Sequence, residues 1–264
     1  MIVGIIGVGR IGGALVNGFL EAKVLDAKQI IASDRDKRTI KSLQAVGIQT
    51  VTKNSELAKG ADTVIIAVKP KDVASVLNEV KEYASGKLII SVAAGIGTGL
   101  IEEQLGGIVK VIRTMPNIAC TVREAATVYC LGKYATHEDE QIVKRLFEAM
   151  GMVFKLPESL MDAVTGLSGS GPAYYFFIIR ALAEGGVNEG MPEDIAVKLA
   201  AQTAIGAGKT VLQSKISINE LIEMVCSPGG TTIEGLKALS QGKLAESLKE
   251  AVRRATSRSK ELSK

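Results

Sequence analysis

Near the amino terminus the chain reads Gly7-Val8-Gly9-Arg10-Ile11-Gly12, directly after the apolar run Ile2–Ile6 and at the opening of a helical pattern over Ile11–Glu21. No other feature narrows the fold as much. G-x-G-x-x-G alone is a weak signal, but between a strand and a helix it forms the turn on which a dinucleotide pyrophosphate rests. The first glycine makes the turn, the second lets backbone approach the pyrophosphate, and the third lets helix pack on strand. Free N–H groups at the helix N-terminus then face the phosphates. The alternative is a glycine-rich turn with no ligand.

The same alternation of strand and helix continues down the chain. Ile30–Ser33 is a strand pattern and Asp36–Val46 a helix; Thr63–Val68 is a continuous apolar run suited to a buried parallel strand; Pro70–Tyr83 is a helix with proline in its first turn. Leu88–Val92 and Val109–Arg113 read as further strands, Ala126–Tyr129 and Met152–Lys155 as edge strands, with a helix over Glu138–Met150 between the last two. Such alternation predicts a parallel sheet covered on both faces. After Pro157 strand signals stop. Pro172–Gly190, Pro192–Ser214, Ser217–Val225, Thr232–Leu239 and Lys243–Leu262 read as helices, with capping-box patterns at Ser217/Glu220 and Thr231/Glu234. The expected fold is therefore α/β: an N-terminal Rossmann-type doubly wound sheet over residues 1–158, then an all-α C-terminal domain over residues 159–264. Its helices are rich in alanine and glycine and bury little alone, so this domain is expected to pair with a second copy of the chain.

The second strand's end bears on which dinucleotide binds. Asp34 stands where a carboxylate bonds a ribose 2′-OH and favours NAD(H). Ser33 and Arg35 flank it and suit a 2′-phosphate, and Asn54 adds a polar contact at that end. The balance favours NADP(H), with NAD(H) as the alternative. Ala67-Val68-Lys69-Pro70 and Ala93-Ala94-Gly95 also follow strands, where small residues leave room for ribose and nicotinamide.

Composition excludes several classes. Charged residues make up 23% and the net charge is +4, an ordinary solvated surface that points to no nucleic-acid partner. Cys120, Cys130 and Cys226 lack metal-ligand spacing and suit a reducing compartment, so no metal site is expected and a cytoplasmic location is. No apolar run reaches the length of a membrane span, and the N-terminal stretch lacks the charged leader of a signal peptide. "GAGKT" at Gly206–Thr210 lacks the P-loop's upstream glycine and strand. "GLSGSG" at Gly166–Gly171 is out of register for a serine-hydrolase elbow, and the single histidine, His137, reads as an exposed residue near a helix start. The same stretch has the glycines of the β-hydroxyacid dehydrogenases, but Tyr175 and Ile179 replace that family's lysine and asparagine.

Five segments together resemble the Δ1-pyrroline-5-carboxylate reductase family almost end to end. They are "GIIGVGRIGGAL" from Gly4, "AVKP" at Ala67–Pro70, "VREAATVY" at Val122–Tyr129, "DAVTGLSGSGPAY" at Asp162–Tyr174 and "SPGGTTIEGL" at Ser227–Leu236. The resemblance implies reduction of a cyclic imine to L-proline by NAD(P)H and a helical domain that interlocks in a homodimer or larger oligomer. It implies cofactor contacts from Ile6, Gly7, Val8, Gly9, Arg10, Ile11 and Gly12, from Ser33 and Asn54, from Ala67, Val68, Lys69 and Pro70, and from Ala93, Ala94 and Gly95. It places Ser227, Gly230, Thr231 and Thr232 at the substrate, with Thr232 near the ring nitrogen as the catalytic candidate. Two positions depart from the family pattern: no second proline follows Pro116-Asn117, and Met224 stands where some relatives carry a polar residue. The rival readings are another imine or keto-acid reductase on this scaffold and a non-catalytic NADP(H)-binding protein.

Overall fold

The computed structural model describes residues 1–262. Its first unit alternates β1 (Val3–Ile6), α1 (Arg10–Glu21), β2 (Ile30–Ser33), α2 (Lys37–Ala45), β3 (Gln49–Thr50), α3 (Asn54–Gly60), β4 (Thr63–Ile66), α4 (Pro70–Val80), β5 (Leu88–Ser91), α5 (Thr98–Leu105) and β6 (Lys110–Met115). β7 (Ala125–Leu131), α6 (His137–Glu148) and β8 (Gly151–Lys155) complete it, with the short α7 (Met161–Val164) and a π-turn over Thr165–Gly169 after them. The eight strands run in the order β3-β2-β1-β4-β5-β6-β7-β8. All neighbouring pairs are parallel except β6 and β7.

Alternate residues of each central strand enter opposite cores, as the two-residue strand period requires. Ile5, Ile65, Ile90 and Ile112 meet Leu15 and Phe19 of α1 and Phe147 of α6 in one core. Ile6, Val64, Ile66, Ile89 and Val111 meet Leu57, Val73, Leu77 and Ile101 of α3, α4 and α5 in the other. The sheet is thus wound on both faces, as expected. β7 is not an edge strand: β8 pairs along its outer side. Its near-continuous burial fits an interior place.

The second unit comprises α8 (Gly171–Asn188), α9 (Glu193–Gln213), α10 (Ile218–Met224), α11 (Thr231–Gln241) and most of α12 (Leu244–Leu262). By compactness the first unit runs to Ser170 and takes in the end of α12 from Arg253, while the second spans Gly171–Val252. The physical reason is a buried polar cluster. Arg113, 3% exposed, lies 3.6 Å from a Glu158 carboxylate oxygen and 3.8 Å from one of Asp162. Glu158 accepts from the Thr98 N–H and hydroxyl, and Asp162 accepts from the Ser259 hydroxyl at 2.7 Å. Residues 159–170 and the end of α12 are therefore tied to the sheet.

Within the second unit, Gly186 and Ala196 bring α8 and α9 together: a Cβ built on Gly186 would lie 3.4 Å from that of Ala196. Most large apolar side chains stay uncovered, with Phe176 64% and Phe177 62% exposed. Ser217 caps α10 in the expected capping box with Glu220. Thr231 does not cap α11. The helix starts at Thr231 itself, so its cap is Gly230, which has no side chain.

Candidate functional site

A cleft of about 500 Å³ opens at the carboxyl ends of β1, β2 and β4. The strand order reverses between β1 and β4, the switch point at which doubly wound sheets bind ligands. Of the expected cofactor residues, Ile6, Gly7, Gly9, Ser33, Arg35, Asn54, Ala67, Val68 and Lys69 line it. Each glycine of the fingerprint has its own reason. Gly7 has φ +88°, the left-handed region that side chains resist, and its N–H donates to the Ser33 carbonyl at 2.9 Å. A Cβ on Gly12 would overlap the Gly7 carbonyl oxygen, so this glycine permits α1 to meet β1. Gly9 has φ −74°, and among the described residues nothing lies within 4 Å of where its Cβ would point. Space left beside the N-cap of α1 suits the close approach of a phosphate group.

The other expected residues sit differently. Val8 is buried and its N–H donates to Asp34 at 2.6 Å. Arg10 and Ile11 begin α1 and Pro70 begins α4, outside the cleft wall. Ala93 is buried in the second core, and Gly95, at φ +76°, packs against Leu262. Asp34 is not left to a ribose alone: its two carboxylate oxygens accept the N–H groups of Val8 and Asp36. It braces the glycine loop against the tip of β2.

Sequence reasoning missed Thr52, Lys71, Asp72, Val76 and Glu79, which also line the cleft. Asp72, Val76 and Glu79 recur at i, i+4 and i+7 on α4, the spacing of one helical face. The Ser33 hydroxyl donates to the Asn54 side-chain oxygen at 2.6 Å, and the Asn54 amide donates to Glu79 at 2.9 Å. A carboxylate only accepts, so this orientation of the amide is required. Arg35 pairs with Asp72 at 3.4 Å, its side chain 80% exposed.

The expected substrate residues gather at the start of α11 in the second unit. Gly229 turns the chain at φ +71°, and the Gly230 N–H donates to the Ser227 carbonyl at 2.8 Å. A Cβ on Gly230 would clash with the Ser227 hydroxyl. Thr231 is exposed and Thr232 half-buried, on the first helical turn, where N–H groups have no acceptor within the helix.

Known proteins are similar to this chain over nearly its whole length. Residues 158–262 match the family model for pyrroline-5-carboxylate reductase dimerisation, and residues 2–95 match that for the F420-dependent NADP oxidoreductases. The chain is 46% identical to pyrroline-5-carboxylate reductase of Methanosarcina acetivorans, over 99% of this chain and 98% of that one. It belongs to the pyrroline-5-carboxylate reductase family. The solved pyrroline carboxylate reductase of Plasmodium falciparum, with NADP bound, superposes with a TM-score of 0.92 at 32% identity, covering 100% of this chain and 98% of the other. That of Coxiella burnetii gives 0.91 at 34%, covering 99% and 98%. As a member of that family, the chain carries its Rossmann-type sheet and helical dimerisation domain. Among the described residues there is no cluster of metal-ligating side chains and no helix long and apolar enough to cross a membrane.

Proposed function

We infer that the chain reduces the cyclic imine 1-pyrroline-5-carboxylate to L-proline, with NADP(H) as the favoured dinucleotide and NAD(H) as the alternative. The observation that carries the reading is the near-complete match to a pyrroline-5-carboxylate reductase, together with a switch-point cleft whose Gly9 leaves room for a phosphate group. The bound dinucleotide supplies hydride. Gly7, Gly9 and the N-terminus of α1 hold its pyrophosphate, and Ser33, Arg35 and Asn54 face its adenosine ribose.

The remaining chemistry asks little of side chains. An imine protonated near neutral pH is already an electrophile, so no strong general acid is needed, unlike carbonyl reduction. Positioning remains. The N-terminus of α11 suits the substrate carboxylate, because N–H groups and the helix dipole favour an anion there. Gly230 lets that backbone come close. The Thr232 hydroxyl, on the same turn, orients the ring nitrogen and is the catalytic candidate. The reading further places the working protein as a homo-oligomer through its helical domain, in the cytoplasm, where the three unpaired cysteines are stable.

Steady oxidation of NADPH or NADH on adding 1-pyrroline-5-carboxylate, with proline as the product, is the expected result. Turnover on cyclic imines of other ring size but not on this one would displace the assignment to a related imine reductase. Tight dinucleotide binding with no turnover would make the chain a binding protein.

A further inference from the structure

The donors assigned to the adenosine ribose are already engaged: Asn54 and Arg35 each by an acid, and Ser33 by Asn54. In the Ser33–Asn54–Glu79 chain the serine proton points to Asn54, and an Asn54 N–H points to Glu79. Ser75 donates to the same Glu79 carboxylate at 3.5 Å. Arg35 is held by Asp72. The ionisable residues lining the cleft are Asp34, Asp72 and Glu79 against Arg35, Lys69 and Lys71, so no excess of positive charge awaits an added phosphate. A 2′-phosphate needs the Ser33, Asn54 and Arg35 donors turned toward it. A ribose 2′-OH does not, since a hydroxyl both donates and accepts.

We propose that Glu79 sets how strongly this chain discriminates between the 2′-phosphorylated and the unphosphorylated dinucleotide. Its carboxylate competes with the 2′-phosphate for Asn54 and repels it, while leaving a 2′-OH nearly unaffected. Asp72 does the same for Arg35, more weakly because that pair stands in solvent. This rests on the reading that the cleft holds the adenosine end of the cofactor.

The test is titration of NADPH, NADH, 2′,5′-ADP and 5′-AMP into the full-length protein and its variants, read by calorimetry and by the shift in melting temperature. Glu79→Gln keeps an acceptor for Asn54 and removes the charge, so the fold is retained. NADPH and 2′,5′-ADP should bind it about five- to tenfold more tightly, with NADH and 5′-AMP nearly unchanged and the gain shrinking in high salt. Arg35→Glu, at an exposed position, tests the underlying reading and should weaken NADPH far more than NADH. If Arg35→Glu discriminates and Glu79→Gln shifts all four ligands equally or none, the role of Glu79 is wrong and the cleft stands. If neither variant separates phosphorylated from unphosphorylated ligands, the adenosine end lies elsewhere and both readings fall.

Discussion

Gly9 offers the sharpest perturbation, because the structure separates its role from those of its neighbours. A Cβ there meets nothing within 4 Å among the described residues, and φ is negative. The only intrinsic cost is ψ of −146°, off the well-populated regions. Gly9→Ala should therefore cost about 1 kcal/mol of stability. For a chain of this size that lowers the melting temperature by about 2–4 °C. The added methyl occupies the space a pyrophosphate would enter, so dinucleotide affinity should fall about a hundredfold, or roughly 3 kcal/mol. Two neighbours calibrate the result. In Gly12→Ala the methyl overlaps the Gly7 carbonyl, so α1 separates from β1 and the protein loses about 3 kcal/mol or fails to fold. In Gly13→Ala the nearest atom is the Val8 carbonyl oxygen at 3.7 Å, and alanine in a helix should stabilise by about 0.5–1 kcal/mol. Urea denaturation and fluorescence titration with NADPH measure both quantities on each variant. A Gly9→Ala protein that binds NADPH as well as the parent would refute the phosphate role, and one that unfolds like Gly12→Ala would show that the residue serves the fold.

Thr232→Ala should lower kcat roughly tenfold to a hundredfold with little change in melting temperature, because Gly230 rather than a threonine caps α11; parallel losses of helix content and activity would reduce Thr232 to a structural role. Phe176→Asp places a charge on the uncovered apolar face of α8 and should shift the sedimenting species toward monomer, whereas an unchanged oligomer would mean that another surface joins the subunits. The Glu140 carboxyl is held below its ordinary range chiefly by the Tyr129 hydroxyl at 2.6 Å and also by Lys155. The same bond, with burial as the larger cause, raises the Tyr129 phenol. A depressed carboxyl contributes stability that is full above its unfolded pKa of about 4.3 and is lost as pH falls through the folded value. Tyr129→Phe should flatten the loss of urea midpoint as pH falls below about 5, and an unchanged acid slope would show that the bond contributes nothing.

The sheet was legible because its central strands are buried on both faces. That forces continuous apolar runs such as Thr63–Ile66, and no helix of that length competes for the pattern. The elements that escaped are short or polar: β3 has two residues, and α3 begins at Asn54 inside a hydrophilic stretch. The Thr231 capping pattern was real in the letters but one register out, since T-x-x-E also fits a helix that begins on its threonine. The cleft shows a deeper limit. Ser33 and Arg35 were visible because they stand at the end of a strand beside a glycine fingerprint. Asp72 and Glu79 were not, because nothing local distinguishes them from solvated acids on an amphipathic helix. Asn54 lies 21 residues from Ser33 and 25 from Glu79, and Arg35 lies 37 from Asp72. Only the placement of α4 after β4, beside β1 at the switch point, turns those acids toward the donors. Local sequence thus displayed the groups that attract a phosphate and concealed the groups that oppose it, so the dinucleotide preference read from Ser33, Arg35 and Asn54 omits Glu79.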